Sequence, residues 1–441
     1  MFFTRDKSFY KSLLFLSIPI ALQNFVTFSI GLADNVMIGA LGDSAVSGVY
    51  MGNQIQTLLQ VFSGGIEATI LVLSAQYWGK RDSESIRKIV ATGMRFTVVF
   101  GLLISLICAV FPSAVLSLFT NDAETVAVGA QYLSIVAFSY VFFCLTQSLI
   151  SAMRSVESPK IGLFVSLASL VIDVALNYLL IFGKLGLPAL GVRGAAIATL
   201  VARIAETAII VCYVIFIDKK LRFSFKELLS FDRSITRDFI KYGAPIVGGQ
   251  LVWAANVFTN SAIMGRLAGE GIITATSVTN VLHNLAYVVM NGMSGAVGII
   301  VGKTIGEGHE EKIREYARTV QVLFLTLGIL TGGFIQLIKR PFISLYNISE
   351  SAAIYADQLI NVISVTVIGT CYQAACLAGL VKSGGDISFV FKNDAIFVFL
   401  VVIPLPRKRE QRRLAYRLFP RFRQGARAYR GCEDTYRRYG Q

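Results

Sequence analysis

The sequence predicts an all-α polytopic membrane protein. Its architecture is two six-helix bundles related by a pseudo-two-fold axis along the membrane normal, the second bundle lacking its last helix. Three observations carry this expectation. Of 441 residues, 54% are hydrophobic and only 15% charged, against about 25% charged in a soluble domain, and the mean hydropathy is +0.63. Apolar stretches long enough to cross a bilayer, about 20 residues, recur along the chain. The second half then repeats landmarks of the first at a nearly constant offset.

In order, the spanning stretches cover approximately residues 13–38, 46–77, 89–118, 125–153, 161–182 and 192–217, then 239–264, 272–301, 320–345 and 352–381, with an incomplete eleventh at 387–405. The first follows a short, mildly basic start and is too long for the apolar core of a cleavable signal. Residues 1–217 thus form an N-terminal six-helix lobe, 218–238 a basic cytoplasmic linker, and 239–405 a C-terminal lobe of five helices with the last one incomplete. Residues 406–441 form a basic tail of non-native appearance.

The loops set the orientation. With the N-terminus inside, the inner regions carry 22 Lys and Arg, among them Lys80, Arg81, Arg154, Lys220, Lys303 and Lys382, and the outer loops carry five: Lys184, Arg193, Arg266, Lys339 and Arg340. Positive charge stays on the cytoplasmic side, so the chain is expected in the inner (plasma) membrane with a cytoplasmic N-terminus.

The repeat is legible residue by residue. Ile18-Pro19-Ile20 matches Ala244-Pro245-Ile246 and Gly39 matches Gly265, both 226 apart; Gly65 matches Gly292, Gly79 matches Gly306 and Ile86-Arg87 matches Ile313-Arg314, 227 apart. An even-numbered repeat unit keeps its orientation, which yields two parallel-oriented bundles with a cavity between them, the architecture of an alternating-access transporter.

An acid in mid-bilayer costs about 3 kcal/mol on insertion scales, so each needs a reason. Asp34 lies toward the outer end of the first span without a basic residue at helical spacing, which favours a functional role. Asp173 and Asn177 share a face of the fifth span at i, i+4, where a carboxyl and an amide can share a proton or Na⁺. Arg203 and Glu206, at i, i+3 in the sixth, read as a structural ion pair. Glu67 either partners Arg203 or lines a cavity. The second half places Asn260 where Asp34 would be, offers His283 as an interior hydrogen-bonded residue, and has no acid in the middle of a span; Asp357 lies only near an end. A carboxylate that binds and releases a cation is therefore expected in the N-terminal lobe. The small-residue run from Gly191 to Thr199 reads as close helix packing. Cys108, Cys144, Cys212, Cys371 and Cys376 stand in apolar stretches and read as buried, reduced thiols.

Together these residues resemble the multidrug and toxic compound extrusion (MATE) family. The resemblance rests on Ser17 to Ile20, Asp34-Asn-Val-Met-Ile-Gly39, Ala75-Gln-Tyr-Trp-Gly-Lys80, Leu176 to Gly183, Gly191 to Thr199 and Lys382-Ser-Gly-Gly-Asp386, and spans about residues 8–405. It implies a twelve-helix fold and cation-coupled export, H⁺ or Na⁺ entering as a small organic substrate leaves. It also implies a coupling site at Asp34, Asp173 and Asn177, which would hold Na⁺ if any metal binds. The polar residues within the spans add Glu67, Thr199, Arg203, Glu206, Asn260 and His283 as secondary candidates. Related members often carry the fifth-helix pair as Asn then Asp, the reverse of the order here. Acids that some members hold in the seventh and tenth helices have no counterpart: Trp253 lies near the first, Cys371 and Cys376 in the second.

The expected partners are a small organic substrate and the lipid bilayer, with no cofactor, no nucleic acid and a monomeric state. A lipid-linked precursor flippase of related fold is the nearest alternative, though it would call for a basic cavity. An intramembrane enzyme would need metal ligands or a Ser–His pair, and the chain has two histidines, His283 and His309. Twelve of the basic residues and three acids fall in 406–441, nine of the net +14. This Arg-rich tail, where a twelfth span is due, reads as a reading-frame shift near codon 405 and leaves open a non-functional, truncated transporter.

Overall fold

The computed structural model describes residues 3–267, 270–344, 346 and 349–402. The tail 406–441, with the frame-shift reading attached to it, lies outside the described residues.

All regular secondary structure among the described residues is helical. The N-terminal lobe contains α1 (Lys7–Gly39), α2 (Asp43–Gly79), α3 (Ser83–Val110), the one-turn α4 (Pro112–Leu116), α5 (Ala123–Val136), α6 (Ser139–Ser155), α7 (Lys160–Phe182) and α8 (Val192–Cys212). The C-terminal lobe contains α9 (Arg233–Leu267), α10 (Glu270–Gly306), α11 (Glu310–Ser344) and α12 (Glu350–Gln373). From α12 the chain continues through wide turns at Ala374–Val381 into α13 (Lys382–Gly384), then α14 (Ile387–Ile396). Among the described residues eight helices are long and apolar enough to cross a membrane, nine when α5 and α6 are taken as one span.

Helix starts follow local chemistry. Asp6, Asp82, Asp122 and Asp386 each stand just before a helix, where the carboxylate accepts a hydrogen bond from a first-turn N–H, one of the donors a helix cannot satisfy internally. Gly183 closes α7 in the left-handed conformation at φ 64°.

Several sequence expectations need correction. The fourth span is not one helix: α5 and α6 meet at 51° around Ala137-Phe138, where Phe138 and Tyr140 donate to the third residue back, Ile135 and Ala137. The seventh span is a continuous helix, α9, but its first turns carry Arg233, Arg237, Asp238 and Lys241, and it is not among the helices apolar enough to qualify. The last stub does hold an acid, Asp394 on α14, whose charged neighbour is Lys382. Arg154 is not a loop charge; it ends α6, where its Nη2 donates to Gln23 Oε1 at 2.7 Å. Of the five thiols expected to be buried, Cys108, Cys144 and Cys371 are, Cys376 is half-buried, and Cys212 is exposed, because it borders an open groove between α7 and α8.

The lobes join at the end that carries the linker. Gly65 on α2 packs against Val247 on α9, and its repeat counterpart Gly292 on α10 packs against Ala21 on α1; a Cβ at either glycine would lie 2.7 Å from the facing side chain. One helical stretch further, the backbones of α2 and α10 touch at Gly79 and Gly306. An apolar seal surrounds these crossings: Leu13, Leu16 and Ile20 of α1 share a cluster with Ile299, Ile300 and Phe324 of α10 and α11. Hence α1 belongs to both lobes, its first half to the C-terminal core and its second half to the N-terminal lobe, with Pro19 between them. The linker lies over α3, tied by Arg87 to Glu227 at 2.7 Å and folded by Asp218, which accepts from the amides of Leu221 and Arg222.

Candidate cation site

A cavity of about 210 Å³ opens inside the N-terminal lobe, walled by α1, α2, α5, α7 and α8. Helical spacing puts its polar lining where it is. Thr27, Gly31, Asp34 and Ile38 follow one face of α1, and Asn53, Gln56, Thr57 and Gln60 recur at i, i+3, i+4 and i+7 on α2. Asp173 and Asn177 come from one face of α7, both only 1% exposed.

One amide organises the centre. Asn177 Nδ2 donates to Asp34 Oδ1 at 2.7 Å and to Asp173 Oδ2 at 3.1 Å. Two carboxylates from different helices are thus held together through a single neutral donor. The same side chain's Oδ1 is buried and has no hydrogen-bond partner among the described residues, an unusual condition for a buried carbonyl-type oxygen. Beside it, Tyr132 donates to Asn53 Oδ1 at 3.3 Å, and Thr199 completes the wall. The arrangement offers carboxylate, amide and hydroxyl oxygens at one place, the donor set that hard cations take.

Arg203 lines the same cavity. Its Nη1 pairs with Glu206 Oε2 at 2.7 Å, and its guanidinium lies 5.2 Å from the Phe143 ring centroid. The i, i+3 pair expected from the sequence therefore exists, and it also faces the acids: Asp34 and Asp173 both feel the Arg203 charge. With all groups ionised, three carboxylates meet one guanidinium.

Other candidates lie elsewhere. Glu67 faces neither Arg203 nor this cavity; its charged neighbour is Arg154, since Arg203 is held by Glu206. His283 packs against the Tyr287 ring in the C-terminal lobe, centroids 4.6 Å apart. The side chain of Asn260 lies outside the described residues. Sequence reasoning missed Tyr132 on α5 and the α2 stripe of Asn53, Gln56, Thr57 and Gln60. The stripe carries a readable signal, four polar residues at helical spacing within an apolar span.

A profile of the MatE family matches the chain twice, over residues 19–179 and 245–405, two stretches of equal length starting 226 residues apart. The chain is 24% identical over 400 residues to a probable multidrug resistance protein NorM of Halalkalibacterium halodurans, covering 89% of this chain and 86% of that protein. It is 27% identical over 402 residues to a protein of the same description from Photorhabdus laumondii, covering 90% and 86%. Its fold matches a solved outward-facing conformation of a multidrug resistance MATE family transporter of the MOP superfamily, with TM-score 0.80, 18% identity and coverage of 90% and 87%. The chain belongs to the MatE family, a family of membrane transporters.

Proposed function

We propose that this protein is a cation-coupled antiporter that exports organic, cationic compounds by alternating access, with H⁺ or Na⁺ exchanged at Asp34, Asp173 and Asn177. The carrying observation is the amide of Asn177 bridging the two carboxylates, both of which line the polar cavity, while its own buried Oδ1 has no hydrogen-bond partner among the described residues. An entering cation takes up that oxygen and the carboxylate lone pairs. Because Asp34 is on α1 and the other two are on α7, occupancy alters the tie between a helix shared by both lobes and a helix of one lobe. That is a route from ion binding to lobe movement, through differential contacts in the two states.

The organic substrate belongs outside this cavity. At about 210 Å³ the space is below the roughly 300–1,000 Å³ of drug-sized pockets, so it suits an ion with a little water. The larger molecule fits between the lobes at the end away from the linker, where aromatic side chains can meet a cation over the ring face; Trp253 on α9 is an exposed candidate. Against a flippase for a pyrophosphate lipid stands the charge: the cavity arginine is already paired, and the surrounding surplus is negative. The NorM relatives' description as multidrug resistance proteins supports the substrate class. The loop charges support a cytoplasmic N-terminus in the plasma membrane, and a cation cavity walled entirely by one lobe of one chain supports a monomeric transporter.

The test is efflux from proteoliposomes under separately imposed H⁺ and Na⁺ gradients. One gradient should drive uphill export of an organic cation, and Asp34→Asn should abolish it. Gradient-independent or unchanged export in that variant overturns the proposal.

A further inference from the structure

The turn between α6 and α7 breaks a local rule. Arg154, Ser155 and Val156 wind out of α6, and the next residue, Glu157, adopts φ 54°, with Ser158 N donating back to Met153 O at 2.9 Å. This is the left-handed position that ends a helix, which glycine normally fills; a side chain there costs roughly 1–2 kcal/mol. The side chain reaches the other lobe: Lys303 Nζ on α10 binds both carboxylate oxygens, at 2.9 and 3.0 Å.

Three further contacts fix this turn, one through the carboxylate and two through backbone carbonyls. Trp78 Nε1 at the end of α2 donates to Glu157 Oε2 at 3.2 Å. Lys220 Nζ, from the linker, donates to the carbonyls of Val156 and Glu157, both at 2.8 Å, which satisfies the open end of α6 and holds the strained turn. Lys303 itself sits at the tightest backbone crossing between the lobes: a Cβ on Gly79 would lie 2.1 Å from Lys303 O. So one carboxylate ties together α2, the α6–α7 turn and, through Lys303, the first lobe to the second, at the end where the lobes meet.

We infer that Glu157 is the latch of the linker-side gate, that the Glu157–Lys303 pair must part for the transporter to open at that end, and that Lys220 is the positioning residue that lets the linker set the latch. The inference rests on the alternating-access reading and names the contact that opposes one of its two states. Broken, the pair releases α10 from α6 and α2. The left-handed turn at Glu157 carries a backbone cost that the ion pair offsets while the gate is shut.

The experiment reads the gate directly, in the full chain and without substrate or ion gradient. Val72 packs with Ile246 and Ile387 between the lobes and is 5% exposed; Val72→Cys, in a background with Cys212, Cys376 and Cys432 changed to Ser, reports opening by its rate of maleimide labelling. Glu157→Gln and Lys303→Glu should each raise the rate about two- to fivefold, the range an ion pair with partial exposure supports. The charge exchange Glu157→Lys with Lys303→Glu should bring it back toward the parent. Glu157→Gly separates the latch from the fold: it relieves the backbone, so thermal stability holds or rises, yet labelling still accelerates. Unchanged labelling in the single variants, or no recovery in the exchanged pair, overturns the inference. Because labelling depends on neither substrate nor ion, absence of export with a responsive latch would count against the transport reading alone.

Discussion

Asn177 shows how much a single side chain can decide. Its amide supplies both hydrogen bonds that hold Asp34 and Asp173 within reach of each other. Asn177→Leu keeps the branched shape, with more bulk, and removes both donors, leaving the two carboxylates without their shared amide. A buried polar group stripped of its partner costs about 1–3 kcal/mol, and more when charged, so the variant should lower the unfolding midpoint in detergent and abolish gradient-driven export together. Asn177→Asp would add a third carboxylate; it should shift the ion dependence of export more than its stability. Both outcomes are read by a thermal melt and by export under the two gradients. At this scale the sequence was informative where partners share a helix, as with Asp173–Asn177 and Arg203–Glu206, since i, i+3 and i, i+4 spacing is visible in one dimension. It was uninformative where partners come from different helices. Asp34 meeting Asn177, and Glu67 turning toward Arg154 and not Arg203, depend on helix rotation and packing, which no spacing encodes.

Individual helices obey their own signals with one exception. Several starts are marked by aspartates, and Asp82 before α3 accepts from both the Ser85 amide at 3.0 Å and the Ser85 hydroxyl at 2.6 Å. The hydroxyl bond first, then the amide, holds its carboxyl below the ordinary aspartate range. A depressed folded-state value means the contribution is complete above the unfolded value of about 4 and is lost as pH falls through the folded one. Asp82→Ala should cost about 1 kcal/mol near neutral pH, the usual worth of such a cap. The gap between parent and variant melting temperatures should close as the pH drops below roughly 4; a gap that is constant with pH would contradict the assignment. The exception is the break between α5 and α6. It contains neither proline nor glycine, the residues by which kinks announce themselves, so the sequence reads as one span. The α2 stripe is visible by contrast, though uncharged Asn, Gln and Thr give a weaker signal than a buried acid because an amide or hydroxyl costs far less to bury than a carboxylate.

At the scale of the molecule, duplication becomes geometry. The contact of Gly65 with Val247 recurs as Gly292 with Ala21, and that of Gly79 with Lys303 O recurs as Gly306 with Gln76 O. Each residue in the second contact is the counterpart, 226 or 227 positions away, of one in the first, so the offsets read from the sequence are those of a pseudo-two-fold interface. The sequence could give the operator but not the state, because the same repeat is satisfied whether the lobes close at one end or the other. Gly306 tests the state. A Cβ there would stand 1.9 Å from Gln76 O, backbone that cannot yield while α2 and α10 cross, whereas Gly295 on the same helix has open space at its Cβ. Gly306→Val adds bulk only between the lobes, so each lobe keeps its own core and the chain still inserts. What changes is the balance: the linker-side closure becomes sterically forbidden and the protein is held open at that end. Pulsed electron-spin distances between labels at Arg81 and His309 should lengthen in Gly306→Val and stay as in the parent in Gly295→Val. Export should fail in the first and persist in the second, because a transporter that cannot shut one gate cannot complete its cycle. Equal distances in the two variants would mean that the crossing at Gly79 and Gly306 does not govern the gate.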